Sequence, residues 1–409
     1  MKKLLMSFFL STILCLFFIA DNANAGRVAR SSSGNNFNVL SFGAKADGRT
    51  DNTKAFLDAW RAACGAAGSV KLIVPPGTYF LGPVRFIGPC KNVKTLTMQM
   101  QGTLKASTDL KRYPSDVWVQ FGWLDGLILT GGGTFDGQGA LAWPFNKCPK
   151  QKKCKLLPIN IKFVNTKNTV VNGITSVNSK FFHIALLHCH NFQGRNIKII
   201  APANSPNTDG IHIERNSGVS ITQSNIGTGD DCISIGQGNS DVTLQGIKCG
   251  PGHGISVGSL GRYKNEGDVR NLVVKDCTIR GTDNGVRIKT WENSPSVSSV
   301  ANMTFENIVM DRVANPIIID QTYCPFAKCD TSVPSRVRIS DITFRNIRGT
   351  STSPVAVLLD CSKGVPCKNI RMHDVHLNYV GGLAGVQTTS TCQNVRAAYS
   401  GKQVPKPCH

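Results

Sequence analysis

Five short runs decide the fold: Gly210-Ile-His-Ile213, Cys232-Ile-Ser-Ile235, Gly254-Ile-Ser-Val257, Gly285-Val-Arg-Ile288 and Pro316-Ile-Ile-Ile319. Aligned on their second residue, they put Ile211, Ile233, Ile255, Val286 and Ile317 in equivalent places, at steps of 22, 22, 31 and 31 residues. A second apolar run precedes most of them, as in Val219-Ser-Ile-Thr222 and Leu272-Val-Val274. A coil of two or three short strands that returns to the same point every 20 to 30 residues is the arithmetic of a parallel β-helix, a solenoid whose rungs stack along one axis. Steps of 31 fit the same coil carrying loop insertions. A propeller blade needs a longer repeat with four strands, and a sandwich needs no fixed register.

The rest of the chain agrees with this reading. Short β-branched runs ended by Gly, Asn or Asp recur, as in Lys71-Leu-Ile-Val74, Leu127-Ile-Leu129 and Asn196-Ile-Lys-Ile-Ile200, which is an all-β signal. One stretch reads as helix: from about Thr50 to Cys64, Phe56, Ala59, Trp60 and Ala63 share a face, and Thr50 or Asp51 can cap it. An open β-helix end exposes strand edges and core, so this helix is expected to cover one end. No Pro- or Ser-rich linker follows about Asn36, and residues 26–409 are expected to form a single domain.

The N-terminus carries a secretory pattern. Lys2 and Lys3 precede an apolar run from Leu4 to Ala20, and Ala23-Asn24-Ala25 supplies small residues for cleavage, so residues 1–25 are expected to leave as a signal peptide. The run is short for a membrane span. Cleavage takes the formal charge from +21 to +20 and leaves 14 of the 15 cysteines, enough for seven disulfides in an oxidising compartment. Cys148/Cys154, Cys324/Cys329, Cys361/Cys367 and Cys392/Cys408 are spaced as local loop clips, and no CxxC or His/Cys arrangement offers a zinc site. Asn302-Met303-Thr304 is a glycosylation sequon.

The register also makes a site. Alternate strand residues point to opposite faces, so Ile211 and Ile213 go inward and His212 outward, and equivalent residues of successive rungs lie about 4.8 Å apart. Two residues before the aligned positions stand Asp209, Asp231 and His253, one column on three rungs, with Asp230 beside Asp231. Arg287 and Lys289 project from the next rung. Carboxylates this close cannot all ionise freely, so at least one pKa must rise. One protonated and one ionised carboxyl is what glycosidic hydrolysis requires. Arg and Lys alongside stabilise the ionised one and can hold an anionic sugar, which also suits the basic chain. Taken singly, each Asp would be read as a turn former and His253 as a solvated loop residue; the column is what favours function.

Asn207-Thr-Asp209, Gly229-Asp-Asp231, Gly252-His-Gly254 and Arg287-Ile-Lys289, in that order, resemble the four signature motifs of the polygalacturonase family of glycoside hydrolases, with Tyr323 where that family carries a further site tyrosine. The likeness runs from Ala44 to the terminal cysteines and is greatest to the plant pollen-type branch. It implies a right-handed parallel β-helix and inverting hydrolysis of α-1,4-galacturonan, with exo attack from the non-reducing end. Carried over, it makes Asp230 the general acid, has Asp209 and Asp231 activate water, and has His253 support the protonation state. Arg287 and Lys289 would bind a galacturonate carboxylate, with Tyr323 and Asn207 also contacting substrate. It implies no cofactor and no metal, a polyanionic pectin substrate, no nucleic acid or membrane partner, a monomer, and an extracellular, cell-wall location.

Competing readings are an endo-acting polygalacturonase, a calcium-dependent pectate lyase-like eliminase in which the Asp cluster would hold the ion, and a noncatalytic pectin-binding β-helix. Lys147, Lys150, Lys152, Lys153 and Lys155 read as a solvated loop, or as a secondary contact with wall polyanion. Gly131-Gly-Gly-Thr-Phe-Asp-Gly137 is read as turns in the coil, since no helix follows to make a phosphate loop.

Overall fold

The computed structural model describes residues 35–408, apart from 149, 150, 152, 153, 327, 383 and 384. The expected signal peptide, and Lys150, Lys152 and Lys153, lie outside the described residues. Strands dominate, and their pairings are parallel throughout. One sheet holds eleven strands stacked in chain order from Val84–Ile87 to Thr389–Gln393, and a larger one of 22 strands forms the remaining walls.

The register anticipated from sequence is the one observed. Ile184, Ile211, Ile233, Ile255, Val286, Ile317 and Val357 are successive backbone partners up the eleven-stranded sheet. Every inward residue of this stack is buried, Ile211, Ile213, Ile233 and Ile235 completely. Each such side chain contributes roughly 1.5–3 kcal/mol by leaving water, and a one-residue slip would send the whole column outward, so burial itself enforces the register. The surplus residues of the 31-residue steps fall just after strands Ile255–Leu260 and Asn284–Thr290, in segments 261–268 and 291–297. The rungs that follow need no break between their second and third walls, which join in the long strands Ser298–Val313 and Val337–Ser351.

The helix runs Thr53–Cys64, three residues later than the start read from sequence. The difference has a local cause: Asp47–Asp51 pair with Thr78–Phe80 as a strand. Asp51 still serves the helix start by accepting the Thr53 backbone N–H at 2.9 Å, although Asn52 occupies the cap position. Phe56, Ala59, Trp60 and Ala63 face inward as expected. Trp60 packs on Phe86 with ring centroids 4.9 Å apart, and Cys64 is tied to Cys90, which fixes the helix to the first rungs.

The four local cysteine clips form, together with Cys64–Cys90 and Cys232–Cys249. The seventh bond does not: Cys189 and Cys277 are free and buried. They follow different strands of the coil on rungs three apart, about 14 Å along the axis, whereas a disulfide needs Cα atoms within about 7 Å. Asn302 is exposed at a positive-φ position within strand Ser298–Val313, and its side-chain amide donates to Asn271 at 2.8 Å, which in turn donates to Asp241.

Candidate active site

The turns that enter strands Ile211–Glu214, Ile233–Ile235, Ile255–Leu260 and Asn284–Thr290 deliver the ionisable groups to one outer face. Local sequence explains how they fit. Gly252 and Gly254 flank His253 with positive φ, and a Cβ on either would come within 2.5 Å of a neighbouring backbone oxygen: Asp230 O for Gly252, Asn284 O and Gly285 O for Gly254. Only glycine lets this turn press against the rungs below and above it. The His253 N–H can then donate to Asp230 O at 2.8 Å.

Asp231 is the hub. Its Oδ1 accepts from Ser256 Oγ at 2.7 Å and from Arg287 at 3.1 Å, and its Oδ2 accepts from Lys289 Nζ at 2.8 Å. All of these groups are at least largely buried. Burial alone would raise the Asp231 carboxyl, but the charges of Lys289 and Arg287 and the bonds from Lys289 and Ser256 outweigh it and hold the pKa at about 2. Burial likewise opposes the Lys289 charge, and Asp231 overcomes it, so the lysine titrates above its ordinary range.

Asp209 goes the other way. Its burial, reinforced by the negative charges of Asp230 and Asp231, drives its carboxyl well above the usual carboxylate range, against a bond from Ser234. Two carboxyls in one site are therefore pushed apart in opposite directions. The raised one is Asp209.

Asp230 sits between them and is more open, with 18% of its side chain exposed against 3% for Asp231. Its Oδ1 accepts from the Asp231 N–H at 2.8 Å and faces His253 Nδ1 at 3.0 Å, while Asn207 donates to Oδ2 at 3.3 Å. The bond to Asp230 is the main cause of a raised His253 pKa, and Asp283 stands 3.3 Å from its other ring nitrogen. Tyr323 borders the same face, its ring 5.4 Å from Lys289 Nζ, and burial raises its hydroxyl pKa.

A cavity of about 480 Å³ gathers Asn207, Asp209, Asp230, Asp231, Lys289 and Tyr323 along its lining. Arg287 and His253 reach it through Asp231 and Asp230. All eight residues singled out from sequence are thus brought together. Donor atoms of Asp230, Asp231 and His253 also lie within 4.8 Å of one another, a spacing a metal ion could use. The donor set does not fit one: both Asp231 oxygens are already engaged by Lys289 and Arg287, whose charges oppose a third cation at that point.

Further lining residues escaped the sequence reading. His212 stacks on Phe182 at 4.7 Å, bonds Ser234 at 2.8 Å and faces Glu214, which Arg215 and Gln237 also hold. Opposite the carboxylates stands the inserted segment after Leu260. Buried Glu266 accepts the backbone N–H groups of Gly261, Arg262 and Tyr263 at 2.6–2.9 Å and so fixes that loop. The register that found Asp209 also lists His212, Ser234 and Ser256 as outward-facing; the loop residues carry no periodic signal.

Fold and site together are those of a polysaccharide-cleaving β-helix, and residues 64–402 match the glycosyl hydrolases family 28. The chain belongs to that family. It is 49% identical over 374 residues to the exopolygalacturonase of Platanus acerifolia, covering 91% of this chain and 98% of that one. An exopolygalacturonase of Zea mays is 43% identical over 394 residues, covering 95% of each. In three dimensions the chain is similar to a hyperthermoactive exopolygalacturonase from Thermotoga maritima (TM-score 0.70, 21% identity, 89% of this chain and 91% of that one) and to the polygalacturonase of Erwinia carotovora (TM-score 0.72, 24% identity, 91% and 99%). These two likenesses speak to the fold.

Proposed function

We propose that the protein is a secreted exopolygalacturonase that hydrolyses α-1,4-galacturonosyl linkages of polygalacturonate with inversion, releasing galacturonate from the non-reducing end. The observation that carries this reading is one groove holding Asp231, whose carboxyl Lys289 and Arg287 hold low, and Asp209, whose carboxyl burial and neighbouring negative charge push up, on either side of the accessible Asp230.

Asp209 and Asp231 lie close enough to titrate as a pair, one pushed up and the other held down. Asp230 is the carboxyl a glycosidic oxygen can reach, and in its protonated form it donates its proton to that oxygen as the bond to the leaving sugar breaks. His253 and Asn207, bonded to its two oxygens, orient it. Asp231 accepts a proton from a water that Asp209 helps to hold, and the oxygen of that water attacks the anomeric carbon from the opposite face, as an inverting mechanism demands. Arg287 and Lys289 keep Asp231 ionised and offer charge to a galacturonate carboxylate, and Tyr323 packs beside that sugar. The exo mode is supported by the names of the plant relatives and by Asn146, which donates to Asn207 at 3.0 Å and so brings chain beside the carboxylates. The six disulfides and the basic charge suit a single domain working outside the cell on a polyanion.

Product sizing during the first few per cent of polygalacturonate hydrolysis, in chelator and mild acid, tests the reading. Galacturonate monomer as the sole early product supports it. A ladder of oligomers would replace exo by endo attack, and an ultraviolet-absorbing, calcium-dependent product would replace hydrolysis by elimination.

A further inference from the structure

A second hollow, of about 680 Å³, opens on the first rungs of the helix, away from the carboxylates. Trp123 stands at its edge with 46% of its surface exposed. Lys91, Lys94 and Lys167 ring it, all exposed, and buried Leu127 forms part of its floor. Among the described residues, none of the three lysines forms an ion pair, and the one carboxylate present, Asp125, accepts the Asn168 amide at 2.7 Å.

The backbone under Trp123 is unusual. Its φ is +53°, in the left-handed region, where most other non-glycine residues of this chain are Asn or Asp. A bulky aromatic there is unfavourable, because its Cβ crowds the backbone carbonyl. Equivalent turns on the next three rungs carry Asn165, His188 and Arg215, each with positive φ. Backbone bonds from Trp123 to Val164, Asn165 to Leu187 and His188 to Glu214 stack these turns in one column. Arg215 borders the catalytic groove, so Trp123 lies about 14 Å from it along the axis. The chain keeps an exposed indole in a left-handed conformation that, among the described non-glycine residues, Asn and Asp mostly fill. The indole lines one hollow with apolar Leu96 and Leu127 and with three lysines that form no ion pair among the described residues.

We propose that this hollow is a second, noncatalytic binding site for a stretch of de-esterified galacturonan, resting on the substrate class proposed above. The indole face would lie against the C–H face of a sugar ring, and Lys91, Lys94 and Lys167 would hold successive uronate carboxylates as point charges. Such a site serves an enzyme that acts on chain ends embedded in an immobile polymer, by raising the local concentration of those ends.

Trp123→Asn removes the ring while suiting the left-handed backbone, and Trp123→Phe keeps an aromatic face. A triple variant, Lys91→Gln, Lys94→Gln and Lys167→Gln, removes the charge. KM for long polygalacturonate should rise about five- to tenfold in Trp123→Asn and in the triple variant, less in Trp123→Phe, while kcat and KM on trigalacturonate stay at the parent values. In an Asp230→Asn background, digalacturonate saturating the groove should leave polymer binding in place, and Trp123→Asn should abolish what remains. Unchanged KM on polymer in both variants overturns the inference, as does an equal loss on trigalacturonate. If the parent chain hydrolyses neither substrate, the hydrolase reading itself fails and this inference falls with it. A melting temperature at or above the parent's shows that Trp123→Asn is folded; a lower one assigns the indole to stability and also overturns the inference.

Discussion

Replacing Lys289 by Met isolates what the buried cation does for the carboxylate beside it. Lys289 is 6% exposed and donates to Asp231 at 2.8 Å. Asp231 titrates at about 2 where its ordinary value is 3.8, a difference that favours its ionised form by roughly 2–3 kcal/mol at about 1.4 kcal/mol per unit. Lys289 is the largest contributor opposing burial there. Without it, Arg287 and Ser256 remain against the full desolvation penalty, and the Asp231 pKa should climb by about 1–3 units. Because the wild-type pKa is depressed, its contribution to stability is present above 3.8 and lost as pH falls towards 2; in the variant that contribution shrinks, and it reverses sign once the folded pKa passes 3.8. Two readouts follow. The acid limb of the kcat/KM profile on trigalacturonate should move up by at least about one unit, and the protein should lose about 3–5 kcal/mol of stability, as expected for breaking a buried ion pair. Lys289→Arg, which keeps the charge, should restore much of the acid limb. A variant whose acid limb stays at the wild-type pH while only KM rises would show that Lys289 merely grips substrate, and the argument about Asp231 would be wrong.

Other substitutions test separate parts of the site. Asp230→Asn should lower kcat by about 10²–10⁴-fold while calorimetry finds trigalacturonate binding within a few-fold of wild type. The bond to Asp230 raises the His253 pKa above 6.5, so the stability that the charged imidazole contributes is present below that value and is lost as pH rises through the folded pKa; His253→Asn should erase the alkaline limb of the pH–rate profile. Cys232 follows Asp231 directly, and its bond to Cys249 closes a separation of 17 residues. The double change Cys232→Ala and Cys249→Ala should cost about 3 kcal/mol, read as a fall in melting temperature with a parallel loss of activity.

Much of this was legible in the sequence because a solenoid turns a one-dimensional period into vertical neighbourhood. Once Ile211, Ile233 and Ile255 share a column, the positions two residues earlier must share one too, and no contact had to be guessed. Where the period is silent, the reading stopped. Arg262, Tyr263 and Glu266 lie in an insertion that no repeat constrains, and their place over the groove follows from the three backbone bonds to Glu266. Asn146 reaches Asn207 across about 60 residues through a loop of no register. Even cysteine number suggested seven bonds, but parity says nothing of distance, and Cys189 and Cys277 fall on separated rungs. The opposite protonation preferences of Asp209 and Asp231 depend on which of two buried carboxyls Lys289 and Arg287 bond, which alternation alone could not rank. Trp123 passed unremarked for a related reason: a left-handed turn is signalled by Asn or Gly, and an indole there gives no warning.

The central claim is that the grouped carboxyls direct water to the anomeric carbon from the face opposite the departing sugar. Proton NMR of galacturonate in the first minutes of trigalacturonate hydrolysis, before mutarotation, tests it most directly. The account predicts that the β anomer appears first from the α-linked substrate. The α anomer as first product would contradict it.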